Sequence, residues 1–154
     1  MRKLLIFLVA LFVGCAGLYL FSKDALPSSH LFYAKRMSEN IILATKTNPE
    51  QRAQYYSELL DIRLKEMQEL YDRKEFDLML SASLRYSTTA GRLTETLKTN
   101  QLNTMNAQIK EQFTSHKQSL QSMADTYMKE EEGDRWRFII DAKNYLEIYE
   151  KELP

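Results

Sequence analysis

The chain has 154 residues and an even balance of 21 basic and 21 acidic side chains, which fits a single domain with room for an anchor. Four glycines and three prolines are too few for a chain that turns through many β-hairpins, and 44% hydrophobic residues set it apart from disordered sequences. One cysteine excludes an internal disulfide framework or a cysteine-ligated zinc site, and two histidines leave little for imidazole chemistry.

Arg2 and Lys3 precede an uncharged apolar run bounded by Leu4 and Phe21, 18 residues in all. As a helix this run spans roughly 27 Å at 1.5 Å per residue, close to the ~30 Å hydrocarbon core of a bilayer. It has no polar stripe such as a soluble helix needs, so it reads as an uncleaved membrane anchor over residues 1–22. The basic pair favours an inside amino terminus, with the chain outside the cytoplasm from about Lys23 onward. Two alternatives stay open. Phe12-Val13-Gly14-Cys15 is similar to a bacterial lipobox, with Cys15 the residue for lipidation. A cleaved secretion signal is the other, although its apolar stretch is normally ~7–15 residues.

Arg2 and Lys3 are the only basic residues before Lys23, so the remainder holds 19 basic against 21 acidic side chains, no footprint for nucleic acid. Residues 23–29 read as a linker ending in serines able to cap a helix. The remainder, residues 30–154, reads as a bundle of about four to five antiparallel helices with coiled-coil-like packing, an all-α fold behind a transmembrane helix. The first helix is expected over residues 30–45, with Leu31, Ala34, Met37, Ile41 and Ala44 on its inward face. Asn48-Pro49-Glu50 then has the order of a capping residue, a first-turn proline and a helix-dipole acid. The helix it opens should reach about Lys74, with Ala53, Tyr56, Leu60, Leu64, Met67 and Tyr71 as its stripe. Ser57 reads as outward-facing, and Asp61 with Lys65 and Glu69 with Arg73 as surface i,i+4 pairs.

A polar hinge at residues 73–77 leads to a third helix with two competing faces. Phe76, Met79, Ser83, Tyr86, Ala90, Leu93 and Leu97 make the better stripe. Leu80, Leu84, Ser87, Gly91 and Thr94 make the other, with a bend expected at Gly91, where glycine costs roughly 1 kcal/mol relative to alanine. After a break at residues 99–101, Leu102, Met105, Ile109, Phe113, His116, Leu120, Met123 and Tyr127 form a near-heptad. A last helix over residues 134–153 carries Trp136, Ile139, Ala142, Leu146 and Tyr149.

Residues 26–36, Leu-Pro-Ser-Ser-His-Leu-Phe-Tyr-Ala-Lys-Arg, resemble the opening of the bacterial DUF5667 family, as do Asn48-Pro49-Glu50-Gln51-Arg52-Ala53 and the helix around residues 58–67. The resemblance covers about residues 26–97. Phe32-Tyr33 stands where the family usually has Tyr-Pro. The likeness implies an all-helical extracytoplasmic domain, often behind a membrane segment and sometimes attached to regulatory proteins such as anti-sigma factors. No established activity comes with it.

His116, on an apolar stripe, reads as a buried or edge histidine with one hydrogen-bond partner, and His30 as a solvated helix end. Glu111 lies five residues before His116, which does not give the Glu-x-x-His pair of a helical di-iron site. The acids at 130–134 read as a solvated turn. No catalytic, metal or cofactor site is therefore expected. Phe32, Tyr33, Lys35 and Arg36 are the candidate partner-binding residues, because aromatic side chains anchor interfaces and the basic pair follows the membrane boundary closely. The expected role is a non-enzymatic interaction module tethered at the envelope and engaging another envelope protein. The alternative is an extracytoplasmic sensor that binds a small molecule between its helices.

Overall fold

The computed structural model describes residues 17, 22, 25–130 and 133–154. Apart from Gly17 and Ser22, the expected anchor, with Leu4, Cys15 and Phe21, lies outside the described residues. Among the described residues no helix is long and apolar enough to cross a membrane, and there are five α-helices and no strand. The chain divides into two compact units, the first ending at Thr45 and the second running from Lys46 to Pro154.

In the first unit the chain closes three successive turns, from Ala25 N–H to Ser22 O, Ser29 N–H to Leu26 O and Phe32 N–H to Ser29 O, before helix α1, Phe32–Thr45. The expected inward face of α1 is turned out. Met37 and Ile41 are exposed, as is Ala44, while Lys35 and Glu39 are the helix's buried residues. The 3–4 spacing was legible, but spacing alone does not say which side of a helix meets protein.

The second unit is a four-helix bundle. Helix α2, Pro49–Asp72, starts as expected: Asn48 is extended, and its Oδ1 accepts the Glu50 N–H at 2.8 Å. It ends where Lys74 takes a left-handed φ of 58°. The Glu75 N–H then reaches the Leu70 carbonyl and the Lys74 N–H reaches the Tyr71 carbonyl, both at 2.9 Å, which is a Schellman closure. A 3-10 turn at Phe76–Leu78 leads into α3, Met79–Thr99. The same closure recurs at its end. Gln101 has φ 52°, and the N–H of Leu102 reaches the Leu97 carbonyl at 3.0 Å. The turn Asn103–Met105 precedes α4, Asn106–Glu130, and the last helix is α5, Trp136–Lys151. Both closures use a side-chain-bearing residue where glycine is the usual choice, at a local cost of roughly 1–2 kcal/mol. Lys74→Gly and Gln101→Gly should therefore each raise stability by up to ~1 kcal/mol, net of glycine's added chain entropy. A urea midpoint that falls for both would show that these turns are not strained.

The stripes point inward. Leu60, Met67, Tyr86, Leu93, Leu97, Ile109, Phe113, Leu120, Ile139 and Leu146 are all wholly or nearly wholly buried. Most helical stability in proteins comes from packing of an apolar face rather than from propensity, so this shared core is what holds them. Consecutive helices run antiparallel, as expected, but the square has two parallel edges. Ser57 and Asp61 meet Gln112 and His116 in ascending order, so α2 and α4 run together. Asp77 pairs with Arg135 at 2.6 Å, and Gly91 lies against Tyr149, so α3 and α5 run together too. α3 and α4 therefore face each other across the diagonal, and Phe76, in the turn that leads into α3, meets Tyr127 of α4 edge-on with centroids 4.8 Å apart.

Helix α3 continues unbroken through Gly91 to Thr99. A Cβ there would sit 2.9 Å from the Tyr149 hydroxyl oxygen, so glycine is the residue that lets α5 approach. The second face of α3 is thus a helix-packing surface in its own right, with Ser87 and Thr94 buried along it.

Candidate functional site

The four expected docking residues do not form one surface. Tyr33 is 81% exposed, but Phe32 and Arg36 are half-buried and Lys35 is buried. The Lys35 Nζ donates to the Ala25 carbonyl at 3.2 Å. Arg36 pairs with Glu39, also at 3.2 Å, the structural pair that i,i+3 spacing allows. Lys35 is therefore engaged within its own unit. His30 is exposed, as expected for a helix-end residue.

A polar chain runs from the bundle surface into its core. Asp61 on α2 accepts from Gln112 Nε2 at 2.6 Å and from His116 Nε2 at 2.9 Å. Gln112 also accepts from the Ser57 hydroxyl at 2.8 Å and donates to the Ser57 carbonyl at 3.0 Å. The other ring nitrogen of His116, Nδ1, lies 2.9 Å from the Tyr86 hydroxyl. Burial first, and then the Asp61 charge, pushes the Tyr86 phenol well above its ordinary range, so it keeps its proton and donates it to Nδ1. His116 then carries its own proton on Nε2 and donates to Asp61. Burial lowers the His116 pKa, and the Asp61 charge and hydrogen bond only partly oppose this, so the ring is neutral at pH 7.

The sequence reading is corrected at three positions here. Ser57 is buried rather than outward-facing, Asp61 turns to α4 while Lys65 reaches Glu69 at 3.6 Å, and His116 has two partners rather than one. Those partners come from two other helices, which no local spacing reveals. The arrangement has the order of an acid–base relay, with a tyrosine of no exposed surface at its inner end. Its physical role is to fix the mutual register of α2, α3 and α4 with satisfied buried polar groups.

A stability prediction follows from the sign of the histidine shift. Unfolded His116 takes up its proton near pH 6.5, whereas the folded ring resists protonation to a lower pH. The stabilising contribution is complete above that unfolded value and is lost as the pH falls from there toward the folded one. His116→Gln, which keeps a donor toward Asp61 but does not titrate, should flatten this part of the curve. An unchanged slope between pH 7 and 5, measured by urea denaturation, would assign the acid sensitivity to other groups.

Elsewhere on the bundle the surface shows two features. An open groove of about 670 Å³ between α4 and α5 is lined by Lys117, Gln121, Asp125, Lys143 and Glu147 among others. Its charged groups are engaged already, Lys117 with Glu150 at 2.6 Å and Lys143 with Glu147 at 3.4 Å. The second feature is apolar: Leu80 and Leu84 on α3 and Tyr145 and Ile148 on α5 are all exposed. Among the described residues no group of three or more His, Cys, Asp or Glu side chains is placed to hold a metal ion.

The family model of a domain of unknown function, DUF5667, matches residues 24–130. The match extends beyond the region of resemblance read from the motifs and takes in α4, and with it His116 and Gln112. No curated protein and no solved structure matches the chain.

Proposed function

The chain belongs to the DUF5667 family, and on that footing we propose that it is a non-enzymatic helical module that engages another protein, tethered to the outer face of a bacterial cytoplasmic membrane. The observation that carries the reading is the apolar surface along the parallel seam of α3 and α5. The Asp77–Arg135 and Gly91–Tyr149 contacts share one register, which brings Leu84 level with Ala142 and Ser87 level with Tyr145. Leu80, Leu84, Tyr145 and Ile148 therefore stand on neighbouring turns of two packed helices, exposed to water. Covering such a surface is favourable by roughly 25 cal/mol per Å² of apolar area, and tyrosine is among the residues that anchor interfaces. The tether rests on the uncharged run from Leu4 to Phe21 behind Arg2 and Lys3. A lipid on Cys15 is the alternative form of attachment.

The experiment is site-specific photocrosslinking of the full-length protein in membranes, with the crosslinker at Leu84, at Tyr145 and, as a control, at exposed Ser115. The first two positions should give one adduct of the same defined mass, and Ser115 should not. No adduct, or the same adduct from all three positions, would sink the reading. A small-molecule sensor has one feature in its favour, the polar groove between α4 and α5. Lys117, the cation that lines it from α4, is already paired with Glu150, which makes it the weaker reading.

A further inference from the structure

Helix α1 presents to water the kind of surface that soluble helices bury. Tyr33, Met37 and Ile41 are 81%, 66% and 62% exposed, and Ala44 continues the same face one turn on. The face carries no lysine, arginine, aspartate or glutamate. The charged groups of the helix lie around its other side, where Lys35 reaches the Ala25 carbonyl and Arg36 pairs with Glu39. An amphipathic helix with this division is the form that lies flat in a lipid surface, its apolar face sunk ~5–10 Å into the headgroup–acyl boundary. Tyr33, with an apolar ring and a polar tip, suits that depth.

Position in the chain selects lipid as the occupant. Apart from Gly17, the uncharged apolar run lies outside the described residues; it ends at Phe21, and α1 begins at Phe32. Ten fully extended residues could reach up to ~35 Å. From Ser22 onward, however, hydrogen bonds close turns at Ala25, Ser29 and Phe32, so the described part of this connection is not fully extended. A helix held so near the end of an apolar run meets the surface that run enters at high effective concentration, before any soluble partner arrives by diffusion.

We propose that the face of α1 formed by Tyr33, Met37, Ile41 and Ala44 lies against the lipid surface, so that the chain touches the membrane twice, through residues 4–21 and again through α1. The proposal rests on the membrane-tether reading, and the test separates the two. Full-length protein carrying Cys15→Ser and a single new cysteine, Met37→Cys, Ile41→Cys or Ser115→Cys, is labelled with an environment-sensitive fluorophore in phosphatidylcholine proteoliposomes. These positions are exposed, so the labels disturb no packing. With nitroxide-bearing lipid, labels at 37 and 41 should shift to the blue and lose more than about half their emission, as their shallow depth requires. The label at 115 should do neither. Unquenched labels at 37 and 41 on protein that stays with the vesicles through an alkaline wash would overturn the docking and leave the tether standing. A blue shift without nitroxide quenching would overturn it in favour of a second copy or another protein covering the face. Release of the protein into the wash would overturn the helical tether through residues 4–21 and the second contact with it.

Discussion

Glu66→Ala is expected to be among the most damaging single substitutions in the bundle, lowering its stability by about 3–5 kcal/mol. Arg63 and Glu66 sit one turn apart on α2 with guanidinium and carboxylate 2.7 Å apart, their side chains 1% and 3% exposed. Taking a carboxylate away from a guanidinium this deeply buried leaves the cost of desolvating the arginine with less to offset it. Removing both charges is a different matter. Arg63→Met combined with Glu66→Leu should recover most of the loss, because neither charge then has to leave water. The comparison is made by urea denaturation of both variants beside Glu58→Ala, an acid exposed on the same helix. If Glu66→Ala and Glu58→Ala lower the midpoint equally, the pair carries no structural weight.

That pair marks where the sequence stops being legible. The stripe from Ala53 to Tyr71 and the near-heptad from Leu102 to Tyr127 could be read because their 3–4 spacing is a property of each helix alone, and the structure buries both apart from half-buried Tyr71, Leu102 and Met105. Arg63 and Glu66 have the spacing of a surface pair, and only tertiary burial distinguishes them from Lys65, which is exposed, and Glu69, which is half-buried. The polar chain of the core was hidden for a related reason. Asp61, Tyr86 and His116 lie on three different helices, so their meeting depends on which helices become neighbours. The parallel edges were equally out of reach, since short turns between successive helices dictate that those helices run antiparallel but not which others pack together. Lys74 and Gln101 show a local failure. The closures at both helix ends are regular, but without glycine at the left-handed position they read only as polar breaks. For the first helix the error was one of sign. The apolar face around Met37 and Ile41 was identified and assigned to the interior, where the structure turns it outward. That reversal carries information about what the helix meets.

The core and the seam should respond to truncation in opposite ways. Leu60 on α2 and Ile109 on α4 are completely inaccessible, so Leu60→Ala and Ile109→Ala each remove packed methyl groups and leave a cavity. The expected loss is ~2–5 kcal/mol apiece, the spread reflecting how far the surrounding helices can close in. Leu84 is the same kind of side chain but is 55% exposed on the seam of α3 and α5. Leu84→Ala should change stability by less than about 0.5 kcal/mol. It should nevertheless weaken capture from a crosslinker at Tyr145, since an apolar residue that contributes little to the fold is free to serve an interface. Urea midpoints and crosslinking yields on the same three variants supply the measurement. A Leu84→Ala variant as unstable as Leu60→Ala would make the seam part of the core. If it were stable and fully crosslinking, the seam would lose its place as the docking surface.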